Sequence, residues 1–106
     1  MTNCFYAQDT YLQVPEQYTD PRVSPYLYPD TELTNVCPAF IIGAGCDFLL
    51  DEGREYANRL KRLGIDVEYR EYSGAVHGFI NLPLAEQQFQ AQSDWFEAIR
   101  RAVQKN

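Results

Sequence analysis

The 106-residue sequence predicts an α/β fold: two parallel strands alternating with two helices, preceded by an irregular N-terminal segment. Three observations predict it. Ala39-Phe40-Ile41-Ile42-Gly43-Ala44 is a continuous apolar run between Pro38 and Gly45, the pattern of a strand buried on both faces. Two stretches of helical apolar spacing follow it, separated by a short alternating segment. Residues 1–38, by contrast, hold five of the six prolines and five of the eight tyrosines, with no sustained apolar period.

Residues 1–38 form the first division of the chain. Asp20-Pro21, Ser24-Pro25 and Pro29-Asp30 are turn signals, and a short helix is expected over residues 5–12. So long an irregular stretch is uncommon in a free-standing domain and fits a segment laid over a surface supplied from elsewhere. Residues 39–106 form the second division. After the strand at 39–44, a helix is expected over residues 51–63. Asp51, Glu52 and Glu55 lie near its start and Arg59, Lys61 and Arg62 near its end, an order that complements the helix dipole. Tyr56, Leu60 and Leu63 make its apolar face, Glu55 and Arg59 an i,i+4 pair, and Gly64 its stop.

Residues 66–72 read as a strand nearer a sheet edge, with Val67, Tyr69 and Glu71 alternating against Glu68, Arg70 and Tyr72. Ser73-Gly74 ends it, a loop covers 75–83, and a last helix spans 85–103 with Phe89, Phe96, Ile99 and Val103 on one face. Strand, helix and strand joined by short loops imply parallel pairing and a right-handed crossover. The first strand asks for neighbours on both edges, which these residues do not supply.

The net charge of −6 is distributed unevenly: residues 1–53 carry eight acids and one base, Arg22. No basic stripe exists, which disfavours nucleic acid and anionic membrane surfaces as partners. No run of about 18 apolar residues suggests a membrane span. Met1-Thr2-Asn3-Cys4 does not read as a signal peptide. Three cysteines, Cys4, Cys37 and Cys46, without C-x-x-C spacing fit small buried hydrophobes in a reducing compartment, so a cytoplasmic location is expected.

In parallel α/β sheets ligands sit outside the carboxyl ends of the strands. Asp47 follows the first strand, and His77, the single histidine, lies in the loop after the second. An acid and a base at successive strand ends, acid first, form the second half of a Ser…Asp…His order. Imidazole moves protons near neutral pH, and a carboxylate holds its tautomer. Asp47-Phe48-Leu49-Leu50-Asp51-Glu52-Gly53, followed by His77-Gly78-Phe79 and preceded by Asp20-Pro21-Arg22-Val23-Ser24-Pro25, resembles the hormone-sensitive-lipase branch of the α/β-hydrolase fold over roughly residues 20–104. The resemblance implies a partial α/β-hydrolase fold, Asp47 as triad acid, His77 as triad base, carboxylic-ester hydrolysis, and no cofactor. It also implies that Asp51 and Glu52 begin and cap the helix.

The sequence departs from that family in lacking Gly-x-Ser-x-Gly and His-Gly-Gly-Gly. Ser24 and Ser73 lie in turns and Ser93 in the last helix. Two readings follow. In the first, the chain is the C-terminal part of an ester hydrolase, inactive alone, its partners an ester substrate and the nucleophile-bearing part of the hydrolase. In the second, it is a non-catalytic truncated remnant that folds by self-association or by binding a partner.

Rival chemistries are weaker. Cys46 as a nucleophile for His77 lacks an evident cause for a lowered thiol pKa. Gly43-Ala44-Gly45 fails as a dinucleotide loop because Phe48 stands where a third glycine belongs. Asp47, Asp51, Glu52 and His77 give no metal-ligand spacing. Phe79, Ile80 and Leu82 favour packing over contact with an acyl chain.

Overall fold

The computed structural model describes residues 11–83 and 86–105. The chain divides into two compact units, residues 1–36 and 37–106. The helix expected at 5–12 lies outside the described residues except for its last two positions.

In the first unit the prolines start short turns of helix instead of leaving the backbone irregular. Pro15 and Pro25 open the 3-10 helices Pro15–Thr19 and Pro25–Leu27, where a missing N–H costs nothing and the ring presets φ. A single helical turn, α1, covers Asp30–Leu33. Leu12 and Leu33 are buried. Between the 3-10 helices, the Asp20 carboxylate accepts the Arg22 backbone N–H at 2.8 Å and pairs with its guanidinium at 2.6 Å. That side-chain bond from Arg22 holds the Asp20 carboxyl at about 2.

The second unit contains β1 (Ala39–Ala44), α2 (Leu50–Arg62), β2 (Val67–Tyr72), a 3-10 turn at Phe79–Asn81, and α3 (Gln88–Gln104). β1 and β2 pair in parallel with Ala39 opposite Val67 and Ala44 opposite Tyr72, as expected of a strand–helix–strand unit. One face of the pair presents Phe40, Ile42 and Ala44 beside Glu68, Arg70 and Tyr72; the other presents Ile41 and Gly43 beside Tyr69 and Glu71.

α2 buries Ala57 and Leu60. It ends in a Schellman motif: Gly64 at φ +81° donates to Lys61 O, and Ile65 N–H donates to Leu60 O. Glu55 pairs with Arg62 at 2.9 Å, two turns along the helix. One detail differs from expectation. Asp51 and Glu52 occupy the first turn, where their charge suits the dipole, but no side chain caps α2. Asp51 instead pairs with Arg54, which also grips Glu71 on β2.

The largest correction concerns α3. Its expected apolar face, Phe89, Phe96, Ile99 and Val103, is exposed at 45–72%. The buried side is the opposite one, where Ala91 is fully buried in a cluster with Ala44, Tyr72, Ala75 and Phe79. That side is carried by polar anchors. Asp94 accepts from the Tyr72 hydroxyl at 2.5 Å and pairs with Arg70, while Arg101 pairs with Glu68 at 2.7 Å. β2 is polar on this face, so charge complementarity and a small residue at the closest approach orient the helix. Among the described residues, no helix is long and apolar enough to cross a membrane.

The Tyr72–Asp94 contact carries a pH signature. Burial, then the hydrogen bond to Asp94, pushes the Tyr72 phenol up to about 12, and the same bond holds the Asp94 carboxyl below its usual range. A phenol raised from its ordinary value of about 10 stabilises the fold fully below that pH. Its contribution is lost as pH rises from 10 through 12. The unfolding midpoint should therefore fall across that interval, and Tyr72→Phe should flatten the fall. A thermal melt series from pH 8 to 12 checks this; an equal slope in the variant refutes it.

Candidate active site

The two strand ends meet through backbone bonds before any side chain is considered. Gly45 N–H donates to Tyr72 O at 2.9 Å, and Cys46 N–H donates to Ala75 O at 2.8 Å. Gly45 is needed for this approach: a Cβ there would stand 2.9 Å from Tyr72 O and 3.0 Å from Ser73 Cα. The residues following Cys46 and Ala75 are thus brought side by side.

Asp47 then folds back on its own turn. Its N–H donates to Ala44 O at 3.0 Å, and its Oδ1 accepts the Leu49 N–H at 2.9 Å, an Asx turn that leads into α2. Oδ2 is left for His77, whose Nδ1 lies 2.7 Å away. The two carboxylate oxygens therefore divide the work: one is oriented by backbone, the other meets the imidazole. The Asp47 side chain is 11% exposed and the His77 side chain 66%. A carboxylate beside Nδ1 favours the tautomer with its proton there, which leaves Nε2 as the ring's free acceptor. Such a nitrogen can take a proton from a hydroxyl and return it to a leaving group.

The loop bearing His77 is pinned on both sides. Ala75 and Phe79 are 3% exposed, and Phe79 packs on Tyr72 with ring centroids 5.4 Å apart. Gly78, at φ +73°, makes the left-handed step that turns the chain from His77 toward buried Phe79. Three glutamines near the start of α3 hold the loop by its carbonyls: Gln87 donates to Ser73 O, and Gln88 and Gln92 both donate to Ile80 O. These anchors, with Asp94, escape a search for chemistry-bearing motifs, because glutamine on a helix reads as a solvated face. Phe48, the residue after Asp47, lies beside His77 in an offset pair, with centroids 6.4 Å apart and planes inclined by 21°.

Beside Asp47 and His77 is an apolar concavity lined by Phe40, Ile42, Ile80 and Trp95. Phe79 and Ile80 pack in or against the core as expected, whereas Leu82 is 44% exposed. Cys46 is a free, exposed thiol, not a buried hydrophobe, and Cys37 is the same. Asp51 and Glu52 lie exposed on the first turn of α2. Among the described residues, no three His, Cys, Asp or Glu side chains gather as a metal site.

Known proteins are similar to this chain in sequence and in fold. The sequence profile of the alpha/beta hydrolase fold family matches residues 1–81. The carboxylic ester hydrolase LipN of Mycobacterium tuberculosis is 44% identical over 63 residues, 59% of this chain and 16% of LipN. Bovine hormone-sensitive lipase is 35% identical over 82 residues, 76% of this chain and 11% of the lipase. The chain thus spans less than a fifth of either relative. The solved Pyrobaculum calidifontis esterase superposes with a TM-score of 0.79 at 33% identity, over 87% of this chain and 30% of the esterase. With parallel strands carrying an acid and a histidine at their carboxyl ends, and a family profile matched over most of its length, the chain belongs to the α/β-hydrolase fold family.

Proposed function

We propose that this chain supplies the acid and the base of a serine-type carboxylic-ester hydrolase, with Asp47 the acid and His77 the base. The observation that carries the reading is the 2.7 Å contact between Asp47 Oδ2 and His77 Nδ1, with Asp47 Oδ1 separately tethered to the backbone. The nucleophilic serine and the oxyanion donors come from protein outside these 106 residues, where Gly-x-Ser-x-Gly is not found. His77 Nε2 accepts the serine proton as the hydroxyl attacks the ester carbonyl. It then delivers that proton to the departing alkoxide, which leaves an acyl-enzyme. Water repeats the cycle: His77 takes its proton, the acid is released, and the serine is restored. Asp47 keeps its negative charge throughout and stabilises the imidazolium formed at each step. No cofactor enters.

The test uses a short-chain p-nitrophenyl ester. The 106-residue chain alone should show no turnover above buffer. A hybrid in which it replaces the matching part of the Pyrobaculum esterase, which retains its own nucleophile, should hydrolyse the ester. A folded but inactive hybrid refutes the reading.

A further inference from the structure

We propose that Phe48 is a positioning residue for His77, its ring lying nearly parallel and offset beside the imidazole and restraining it on Asp47. The proposal rests on the acid–base reading of Asp47 and His77. His77 is largely exposed, and among the described residues Nδ1 has a single side-chain partner, Asp47 Oδ2. One hydrogen bond along an edge leaves the ring free to swing about its axis, and water can reach that bond from either face. Phe48 supplies a second constraint, at right angles to the first. Its ring lies nearly parallel to the imidazole at 6.4 Å, within the range of offset aromatic pairs.

Core packing does not explain the residue. Phe48 is 55% exposed and lies outside the buried cluster formed by Ala44, Tyr72, Ala75, Phe79 and Ala91. An aromatic side chain left half in water, yet stacked on the histidine, is placed by the turn that also places the acid. The bonds from Asp47 N–H to Ala44 O and from Leu50 N–H to Asp47 O close this turn around Phe48. Acid and neighbouring ring therefore arrive together, set by one turn.

His77 is the single histidine, so its imidazole protons can be followed by NMR without ambiguity. In the unaltered chain the carbon-bound ring protons should be displaced by the Phe48 ring current, and the Nδ1 proton should appear at low field. Phe48→Ala should abolish the displacement and speed exchange of the Nδ1 proton with water roughly three- to tenfold. Phe48→Tyr should restore both. The unfolding midpoint should stay unchanged in both variants. Unaltered ring-proton positions and exchange in Phe48→Ala would overturn the proposal. So would faster exchange accompanied by an equal loss of global stability, which would make Phe48 a packing residue. Asp47→Asn separates the two readings. A low-field Nδ1 proton that survives it removes both the acid–base pair and the positioning role. Its loss in Asp47→Asn, with no response to Phe48→Ala, removes only the positioning role.

Discussion

Replacing His77 by alanine should lower kcat of the hybrid esterase by about 10⁴- to 10⁶-fold while leaving the fold intact. The size follows from the role: without an imidazole, serine has no acceptor for its proton and the alkoxide no donor. The fold should survive because the His77 side chain is largely exposed and its loop is anchored by Ala75 and Phe79 instead. Asp47→Asn should cost about 10⁴-fold, for a different reason. The amide can keep the Leu49 N–H on its oxygen, which turns its NH₂ toward Nδ1. Nδ1 must then accept, the proton moves to Nε2, and the base is lost although the geometry remains. Steady-state kinetics with unchanged circular dichroism checks both. A His77→Ala hybrid with near-normal kcat would show that the proton takes another route.

Gly45→Ala should be a strongly damaging single-methyl change, because the nearest atoms it meets are backbone. The added Cβ meets Tyr72 O, Ser73 Cα and the Gly74 nitrogen, all backbone, at 2.9–3.2 Å. A flexible side chain could move aside, but a strand end cannot without breaking its own bonds. Overpacking of this kind costs about 1–3 kcal/mol, occasionally more. The strain falls on the bonds from Gly45 to Tyr72 and from Cys46 to Ala75 that bring the acid and the base together. Stability and activity should therefore fall together, and the Asp47–His77 contact should lengthen. Gly53→Ala is the control, since nothing lies within 4 Å of a Cβ there. Equal unfolding midpoints for the two variants would refute the account.

The parts of the site that depend on local chemistry were legible in the amino-acid order. The apolar run ending in Ala44 marks a strand, and a strand end is where an α/β sheet places ligands. Asp47 and His77 follow their strands by a few residues, and parallel pairing puts both at the same edge. The charge order over residues 51–62 and the left-handed step at Gly64 mark the helix between them. Each of these signals is carried by neighbours in the chain, so periodicity and turn chemistry suffice to find it.

Other features were set by residues distant in sequence. Phe89, Phe96, Ile99 and Val103 make the stronger apolar stripe, yet α3 turns Ala91, Asp94 and Arg101 toward the sheet. The reason lies on β2, where Glu68, Arg70 and Tyr72 offer partners that an apolar stripe cannot satisfy. Likewise, Phe48 gains its place only because Asp47 turns back on Ala44 beside a histidine 30 residues away. The residue order determined which groups are available and which strand end carries each. Tertiary packing decided which face of α3 is buried and how the imidazole is held. The polar side chains of β2 take their partners from α3, and a pairing between elements distant in the chain leaves no mark on local periodicity.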